Sequence, residues 1–215
     1  MTAIYNECTK CADYGMQFKR GYQPVDFIEG KSNSFVWIVG LNPAADQDWV
    51  DVRTIKELKE YFVNLNIVHS YFKNFKLVSK TIFENFGQDY GTAHTDIVKC
   101  SSKSFPPESA KGKKATIVIN NCKSFLEQQI KMHKPKIIVC NGAEVSKFML
   151  TFLPPLGDFT KTQTSYWSSI EGTEICVVLS GFVGRIDNYA KRRLGVEIES
   201  RLQEVKGFNA AGRNI

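Results

Sequence analysis

Four short apolar runs, separated by longer stretches of helical periodicity, place the strongest constraint on the fold. They cover residues 35–41, 92–99, 136–140 and 174–179 and contain many of the β-branched and aromatic residues that favour strands. Strands that alternate with helices form a parallel sheet with helices on both faces. The sequence therefore predicts an α/β fold, a three-layer sandwich with a central four-stranded parallel sheet. We expect a single domain over residues 1–215, with an N-terminal arm at 1–33.

Helix signals lie between the apolar runs. Thr54 and Glu57 have the spacing of a capping box, which predicts a helix from there to about residue 64. Apolar residues at helical spacing predict helices over about 71–86, 115–133 and 143–152. Asp187 is a candidate N-cap for a last helix that ends near about residue 205, with Gly195 as a candidate irregularity.

The first apolar run ends in a sharp turn, FVWIVGLNPA at residues 35–44. Gly40 allows close approach of backbone or ligand, Asn42 carries an amide that donates and accepts, and Pro43 fixes the turn. In open parallel sheets, ligands bind at the carboxyl ends of strands. The turn therefore has two interpretations, an ordinary strand end or one wall of a ligand site.

The chain has a moderate basic excess, with 28 Lys and Arg against 22 Asp and Glu and a formal net charge of +6. This excess is compatible with nucleic-acid binding. It is concentrated in two clusters, one that includes Lys111, Lys113 and Lys114, and one of Lys191, Arg192 and Arg193. Two solvated faces are the alternative interpretation.

Several protein classes are disfavoured by the sequence. No apolar run approaches the ~20 residues that span a bilayer, and the N-terminal residues lack a signal-peptide pattern. We therefore expect a cytoplasmic protein without membrane association. Neither Gly-x-Gly-x-x-Gly nor Gly-x-x-x-x-Gly-Lys-Ser/Thr occurs, which disfavours a nucleotide-binding domain.

The six cysteines are expected to be reduced, since chains without a signal peptide rarely form structural disulfides. Cys8 and Cys11 have the two-residue gap with which two thiolates reach one metal site. Cys122 falls on the apolar face of the predicted helix 115–133. Cys140 and Cys176 lie inside apolar strands and are predicted to be small core residues.

The three histidines, His69, His94 and His133, form no recognisable ligand set. A surface or core position is predicted for His94, although strand 92–99 brings it near the turn at Asn42.

Four motifs, in order along the chain, resemble those of the uracil-DNA glycosylase superfamily. Residues 40–44 (GLNPA) resemble the Gly-Ile-Asn-Pro-Gly motif of its mismatch-specific branch, and residues 180–185 (SGFVGR) resemble that branch's Ser-Gly-Leu-x-Arg loop. Residues 95–100 (TDIVKC) are similar to the Thr-Asn-Val-Val-Lys-Cys stretch of the iron–sulfur branch. Residues 135–142 (PKIIVCNG) resemble the strand that precedes a helix in these enzymes. The similarity covers most of the chain and implies a uracil-DNA glycosylase-like fold.

The resemblance implies a DNA repair enzyme that hydrolyses the N-glycosidic bond of uracil or another deaminated or damaged base. Asn42 would orient the attacking water, and Phe182 would fill the gap left by the extruded nucleotide. Tyr71 or Phe72 would stack on the base. The implied base pocket consists of Gly40, Leu41, Pro43, Ala44, Tyr71, Phe72, Asp96 and Asn141. The implied DNA contacts are Ser180, Gly181, Phe182, Arg185, Lys191, Arg192, Arg193, Lys111, Lys113 and Lys114. We expect a monomer that binds DNA.

Two positions depart from the family pattern. Many members carry a His just before the Ser of the last loop, where this chain has Val178 or, shifted by two, Ser180. Asp96 stands where the iron–sulfur branch has a base-reading Asn. Either burial protonates Asp96, or the substrate is not uracil, or the pocket is reoriented. A catalytically silent DNA-binding protein is the alternative function.

The iron–sulfur branch also has an N-terminal Cys-x-x-Cys and a further Cys on the helix after the basic loop. The resemblance thus implies a four-thiolate site of Cys8, Cys11, Cys100 and Cys122 that holds a [4Fe–4S] cluster. Zinc and the absence of a metal are the alternatives.

Overall fold

A five-stranded sheet forms the centre of the computed structural model, which describes residues 8–16, 18, 20–43, 54–63, 68–102, 104–106 and 113–205. The strands are β1 (Val36–Gly40), β2 (Thr92–Asp96), β3 (Ile137–Cys140), β4 (Ser165–Ile170) and β5 (Thr173–Val178). Their order is β2-β1-β3-β5-β4, and the first four in this order are parallel. The predicted α/β fold with a central parallel sheet is confirmed.

The strand count differs from the prediction by one, because β4 adds an antiparallel strand at the sheet edge beside β5. Glu171 and Gly172 join the two strands with φ values of 48° and 75°. Positive φ at both central residues is the type I′ geometry that suits a tight hairpin. The β4 sequence SYWSSI is rich in serine and only partly buried, so no apolar run marks it.

Six helices surround the sheet in the described ranges. They are α1 (Ile55–Lys59), α2 (Phe75–Val78), α3 (Lys80–Glu84), α4 (Lys113–His133), α5 (Ala143–Phe152) and α6 (Asn188–Glu204). α4, α5 and α6 lie close to their predicted ranges, and Asp187 caps α6 by accepting the Ala190 N–H. The capping box of α1 is present, but the helix ends at Lys59 rather than near residue 64.

The predicted helix over 71–86 is divided into three pieces. A 3₁₀ turn (Ser70–Asn74) leads into α2, and α3 follows after Ser79. Ser79 has an extended backbone, and its hydroxyl accepts the Ile82 N–H. A side-chain cap of this kind starts a new helix. The prediction of one continuous helix, which rested on the apolar spacing, missed this break.

The strands separate two hydrophobic cores, because alternate side chains face opposite sides of the sheet. One side packs against α2, α3 and α6 and includes Val36, Ile38, Val139 and Val178. The other side packs against α4 and α5 and includes Trp37, Val39, Ile138 and Val177. Cys176 lies in the first core and Cys140 in the second, both fully buried as predicted.

Helix α6 is continuous through Gly195, where it crosses α2 at short range. A Cβ atom at Gly195 would lie 1.8 Å from the carbonyl oxygen of Val78. The glycine therefore permits the crossing and does not interrupt the helix.

The N-terminal arm covers the outer edge of β2. Glu29 and His94 exchange two main-chain hydrogen bonds of 2.8 and 2.9 Å as an antiparallel bridge. The Thr95 hydroxyl also donates to the carbonyl oxygen of Phe27, at 2.7 Å. The arm is thereby fixed beside the strand that carries Asp96.

Among the described helices, none combines the length and the apolar composition needed to cross a bilayer.

Candidate active site

The turn after β1 holds Asn42 in a fixed orientation. The side-chain nitrogen of Asn42 donates to the Ser102 hydroxyl at 2.9 Å and to the carbonyl oxygen of Pro43 at 3.0 Å. An amide nitrogen carries two protons, and both are used. The carbonyl oxygen of the Asn42 side chain is therefore the group that can accept a hydrogen bond from a ligand. Leu41, Asn42 and Pro43 are half-buried, and Ala44 lies outside the described residues.

Gly40 makes room for the Asp96 carboxylate. The two residues are register partners in β1 and β2, and a Cβ atom at Gly40 would lie 2.2 Å from Asp96 Oδ1. Asp96 is 3% exposed, and its Oδ2 has no hydrogen-bond partner in the described part of the chain. The structure thus brings Gly40, Asn42 and Asp96 to one end of the sheet, as the motifs predict.

His94 connects the carboxylate to two further side chains. Its Nδ1 lies 2.7 Å from Glu29 Oε2, and its Nε2 lies 2.8 Å from the Tyr71 hydroxyl and 3.8 Å from Asp96 Oδ1. His94 is 4% exposed and Glu29 5%. The prediction of a surface or core position for His94 misses this network. Its placement two residues before Asp96 on β2 was the available signal, since such residues share a face. Glu29, in a predicted loop, carried no signal.

The network shifts the pKa values of its members. Burial raises the pKa of Asp96, the nearby His94 lowers it, and Glu29 raises it, with a net rise to about 6. Burial lowers the pKa of His94, but Asp96 and Glu29 outweigh burial and raise it overall. Burial, together with the charges of Asp96 and Glu29, raises the pKa of the Tyr71 phenol. The Tyr71 phenol is therefore neutral near neutral pH, and the rise in the pKa of His94 favours its charged imidazole form relative to an isolated histidine.

One member of this network, the half-buried Tyr71, lies beside an exposed aromatic side chain, Phe182. The Tyr71 ring centre lies 5.7 Å from that of Phe182, which is 37% exposed. The Arg185 guanidinium lies 6.0 Å from the centre of the Phe182 ring. Phe72 is instead 2% exposed and contacts His94 edge-on at 4.9 Å. Of the two stacking candidates, Tyr71 lies beside Phe182, and Phe72 belongs to the core behind the pocket.

Asn141 supports the loop that carries Phe182. Its side-chain oxygen accepts the Val183 N–H at 2.8 Å. The Ser146 hydroxyl donates to the Ser180 carbonyl oxygen at 3.0 Å and accepts the Ser180 N–H at 3.1 Å. The structure therefore places Asn141 as a brace of the loop, whereas the resemblance implied a position in the base pocket. Ser180 and Gly181 are half-buried in the braced loop.

The predicted DNA-binding residues fall into separate groups. Arg185, Arg192 and Arg193 are exposed. Lys191 does not fit its predicted role, because it is 7% exposed and donates to the Asn74 side chain at 3.0 Å. Lys113 and Lys114 begin α4, and Lys111 lies outside the described residues.

The four cysteines of the predicted metal site lie in one apolar cluster, next to Met16, Phe18, Val98 and Val118. Cys11, Cys100 and Cys122 are buried, and Cys8 is half-buried. Burial raises the pKa of Cys100, and charge on Cys122, Cys11 or Cys8 raises it further. Within the described ranges, no group of three or more Cys, His, Asp or Glu side chains is arranged to hold a metal ion. Four neighbouring thiols are also the donor set by which proteins hold an iron–sulfur cluster.

A comparison with protein families decides the classification. The family model described as the uracil DNA glycosylase superfamily matches residues 27–181, well over half of the chain. The chain belongs to the uracil DNA glycosylase superfamily. The match contains Asn42, His94 and Asp96 and ends before Phe182 and Arg185. No curated protein matches the chain. Members of the superfamily are usually DNA glycosylases, hydrolases of DNA repair that act on a base extruded from the stack.

Proposed function

We propose that this superfamily member is a monofunctional DNA glycosylase that hydrolyses the N-glycosidic bond of a deaminated or damaged base. The observation that carries the proposal is the orientation of Asn42, whose two amide protons are donated to Ser102 and Pro43. The carbonyl oxygen of this amide accepts a hydrogen bond from the attacking water. An amide is not a base, so Asn42 acts by positioning this water.

The reaction is a substitution at the sugar. The water oxygen bonds to C1′, and the bond between C1′ and the base nitrogen breaks with its electron pair on the base. The departing base, or solvent, takes the proton that the water loses. The raised pKa of His94 supports a positive charge beside the pocket, which stabilises negative charge on a departing base.

Tyr71 and Phe182 supply the surfaces for an extruded nucleotide. A base stacked on an aromatic ring gains ~1–3 kcal/mol, and an inserted apolar side chain partly offsets the unstacking of the duplex. Phe182 is exposed on a loop that Asn141 and Ser146 brace. We assign the wedge to Phe182 and the stacking surface to Tyr71.

The experiment that tests the function is base release from oligonucleotides that each contain one uracil, hypoxanthine, mismatched base, or damaged cytosine or adenine that keeps its amino group. Alkali then breaks the strand at every abasic site. Strand breakage on at least one of these oligonucleotides is expected. Intact strands across the whole set would overturn the proposed catalysis.

A catalytically silent DNA-binding protein is the second candidate, and the last loop favours it. Val178 is fully buried in β5, and the Ser180 hydroxyl donates to the Gly181 carbonyl oxygen. Neither residue replaces the imidazole that many relatives have there. This candidate predicts DNA binding that weakens with salt and no turnover that depends on Asn42.

DNA binding is expected to depend on the exposed arginines and not on the buried lysine. Arg192→Ala and Arg193→Ala should each reduce the slope of log affinity against log salt by about 1, because each removes a phosphate contact. Lys191→Ala is the matched control, since it removes the same charge from the same helix. Its slope should equal that of the wild type, because Lys191 is bound to Asn74. Equal slope changes for all three variants would contradict the assignment.

We also propose that Cys8, Cys11, Cys100 and Cys122 hold a [4Fe–4S] cluster. The four thiols come from the N-terminal arm, the segment after β2 and helix α4. A cluster bound there would cross-link these three parts of the chain. The thiols lie in an apolar cluster apart from the core that contains Tyr71, so we assign the cluster a structural role.

Protein purified without oxygen is expected to contain about four iron atoms per chain. Cys122→Ser should lose the iron and unfold at a lower temperature. Cys176→Ser is the control, because Cys176 is also buried but lies in the core beside α2, α3 and α6, away from the four cysteines. Zinc in place of iron, or a metal-free wild type as stable as the purified protein, would refute the cluster.

A further inference from the structure

Asp96 presents a buried acceptor that the described part of the chain leaves without a partner. Its Oδ2 makes no hydrogen bond there, although the residue is only 3% exposed. Buried polar atoms are almost always satisfied, and the exceptions often mark places where a ligand completes the bonding. Asp96 lies at the carboxyl end of β2, beside Gly40 and the turn of Asn42.

The charged side chains near Asp96 make their hydrogen bonds to atoms other than its carboxylate oxygens. Lys99 Nζ donates to Thr95, to Gln129 and to the main-chain oxygen of Asp96, at 2.8, 2.6 and 2.5 Å. These bonds engage the Lys99 amino group with two neighbouring side chains and the main chain, not with the Asp96 carboxylate. His94 directs its two nitrogens to Glu29 and Tyr71.

We propose that Asp96 selects a base that presents an exocyclic amino group, a modified or damaged base of the cytosine or adenine type. The proposal rests on the proposed glycosylase function and names its substrate class. A carboxylate only accepts hydrogen bonds. It binds an amino group, as acidic side chains do with the amino group of cytosine. The same oxygen repels the carbonyl oxygen that uracil carries at that position.

The pH dependence of this selection follows from the groups around Asp96. Glu29, His94, Tyr71, Lys99 and Arg20 are the titratable or charged side chains that act on it. The pKa of Asp96 is raised to about 6 by burial, so the carboxyl group is ionised at pH 8. As the pH falls through this range, protonation gives a donor that tolerates a carbonyl oxygen. Selection for the amino group is therefore strongest above the pKa.

The test compares two probes that differ only at this edge of the base. They are otherwise identical duplexes that carry 2′-fluoro-2′-deoxycytidine or 2′-fluoro-2′-deoxyuridine opposite an abasic site. The fluorine withdraws electrons from the sugar and blocks cleavage, so equilibrium binding is measured without turnover. At pH 8 the wild type should bind the cytosine probe about tenfold more tightly, the scale of one base-edge contact. Asp96→Asn, whose amide also donates, should reverse the preference.

The outcomes separate this inference from the proposed function. Equal affinity for both probes, including no detectable binding of either, overturns the selection by Asp96, and so does a wild-type preference for the uracil probe. Base release by a wild type with equal affinities would leave the glycosylase function standing. Conversely, preference for the cytosine probe without any base release would support Asp96 and contradict catalysis. Asn42→Ala should retain the wild-type preference, because Asn42 positions the water and not the base.

Discussion

Replacing Asn42 by alanine is expected to lower the single-turnover rate of base release by about 10²–10⁴-fold. Alanine has no group that can hold the attacking water. A displacement of the water by about 1 Å is enough to lower the reaction rate by about 10²-fold. DNA affinity should stay within about twofold of the wild type, because Asn42 makes no phosphate contact in the proposed complex and salt-dependent affinity comes from such contacts. The rate is measured with enzyme in excess over the most rapidly cleaved oligonucleotide.

Ser102→Ala is a second variant for which a smaller loss of rate is expected. Ser102 accepts one of the two hydrogen bonds that the Asn42 amide donates, so its loss loosens the orientation of the side chain but does not remove the carbonyl oxygen. An intermediate loss of about tenfold is expected in the rate, with unchanged DNA affinity. Base release by Asn42→Ala at the wild-type rate would show that another group positions the water.

Gly195→Ala is expected to cause a large loss of stability, because a Cβ there makes the shortest contact of those at the glycines of the described ranges. The new Cβ would lie 1.8 Å from the Val78 carbonyl oxygen, a main-chain atom that cannot rotate away. Overpacking of this kind costs about 2–3 kcal/mol, even after the better helix propensity of alanine is included. The melting temperature should fall by about 4–12 °C.

Gly157→Ala provides the control, because no atom lies within 4 Å of a Cβ at that position. Its melting temperature should remain within about 2 °C of the wild type, the usual range for a surface substitution. Thermal unfolding is followed for both variants under the same conditions. If Gly195→Ala were as stable as Gly157→Ala, α6 and α2 would be farther apart than the structure places them.

Local sequence signals predicted the parallel core of the sheet and the position of the Asn42 turn. Buried parallel strands are apolar on both faces, so β1, β3 and β5 stand out in the sequence. Because β1 and β2 are parallel, Asn42 and Asp96 lie at the same end of the sheet. The edge strand β4 has three half-buried positions and three serines, and only its tight turn reveals a hairpin.

The contacts around Asp96 required the fold. Glu29 lies 65 positions before His94 along the chain, and Tyr71 lies 23 positions before it. No local pattern connects them, because segments this far apart in the sequence meet only in the folded chain. Lys191 likewise shows that the sequence alone does not tell which charged side chains reach solvent. In the sequence it belongs to a basic cluster, but the helix turns it inward to Asn74 while Arg192 and Arg193 face solvent.

The docked N-terminal arm also bears on the solubility of the sheet. A free edge strand offers unpaired N–H and carbonyl groups to other chains, and proteins commonly protect such edges against aggregation. Here the bridge between Glu29 and His94 occupies part of the β2 edge. Glu29 also supplies the carboxylate that holds the His94 ring. Displacement of the arm would therefore expose a strand to intermolecular pairing and disrupt the pocket in one event.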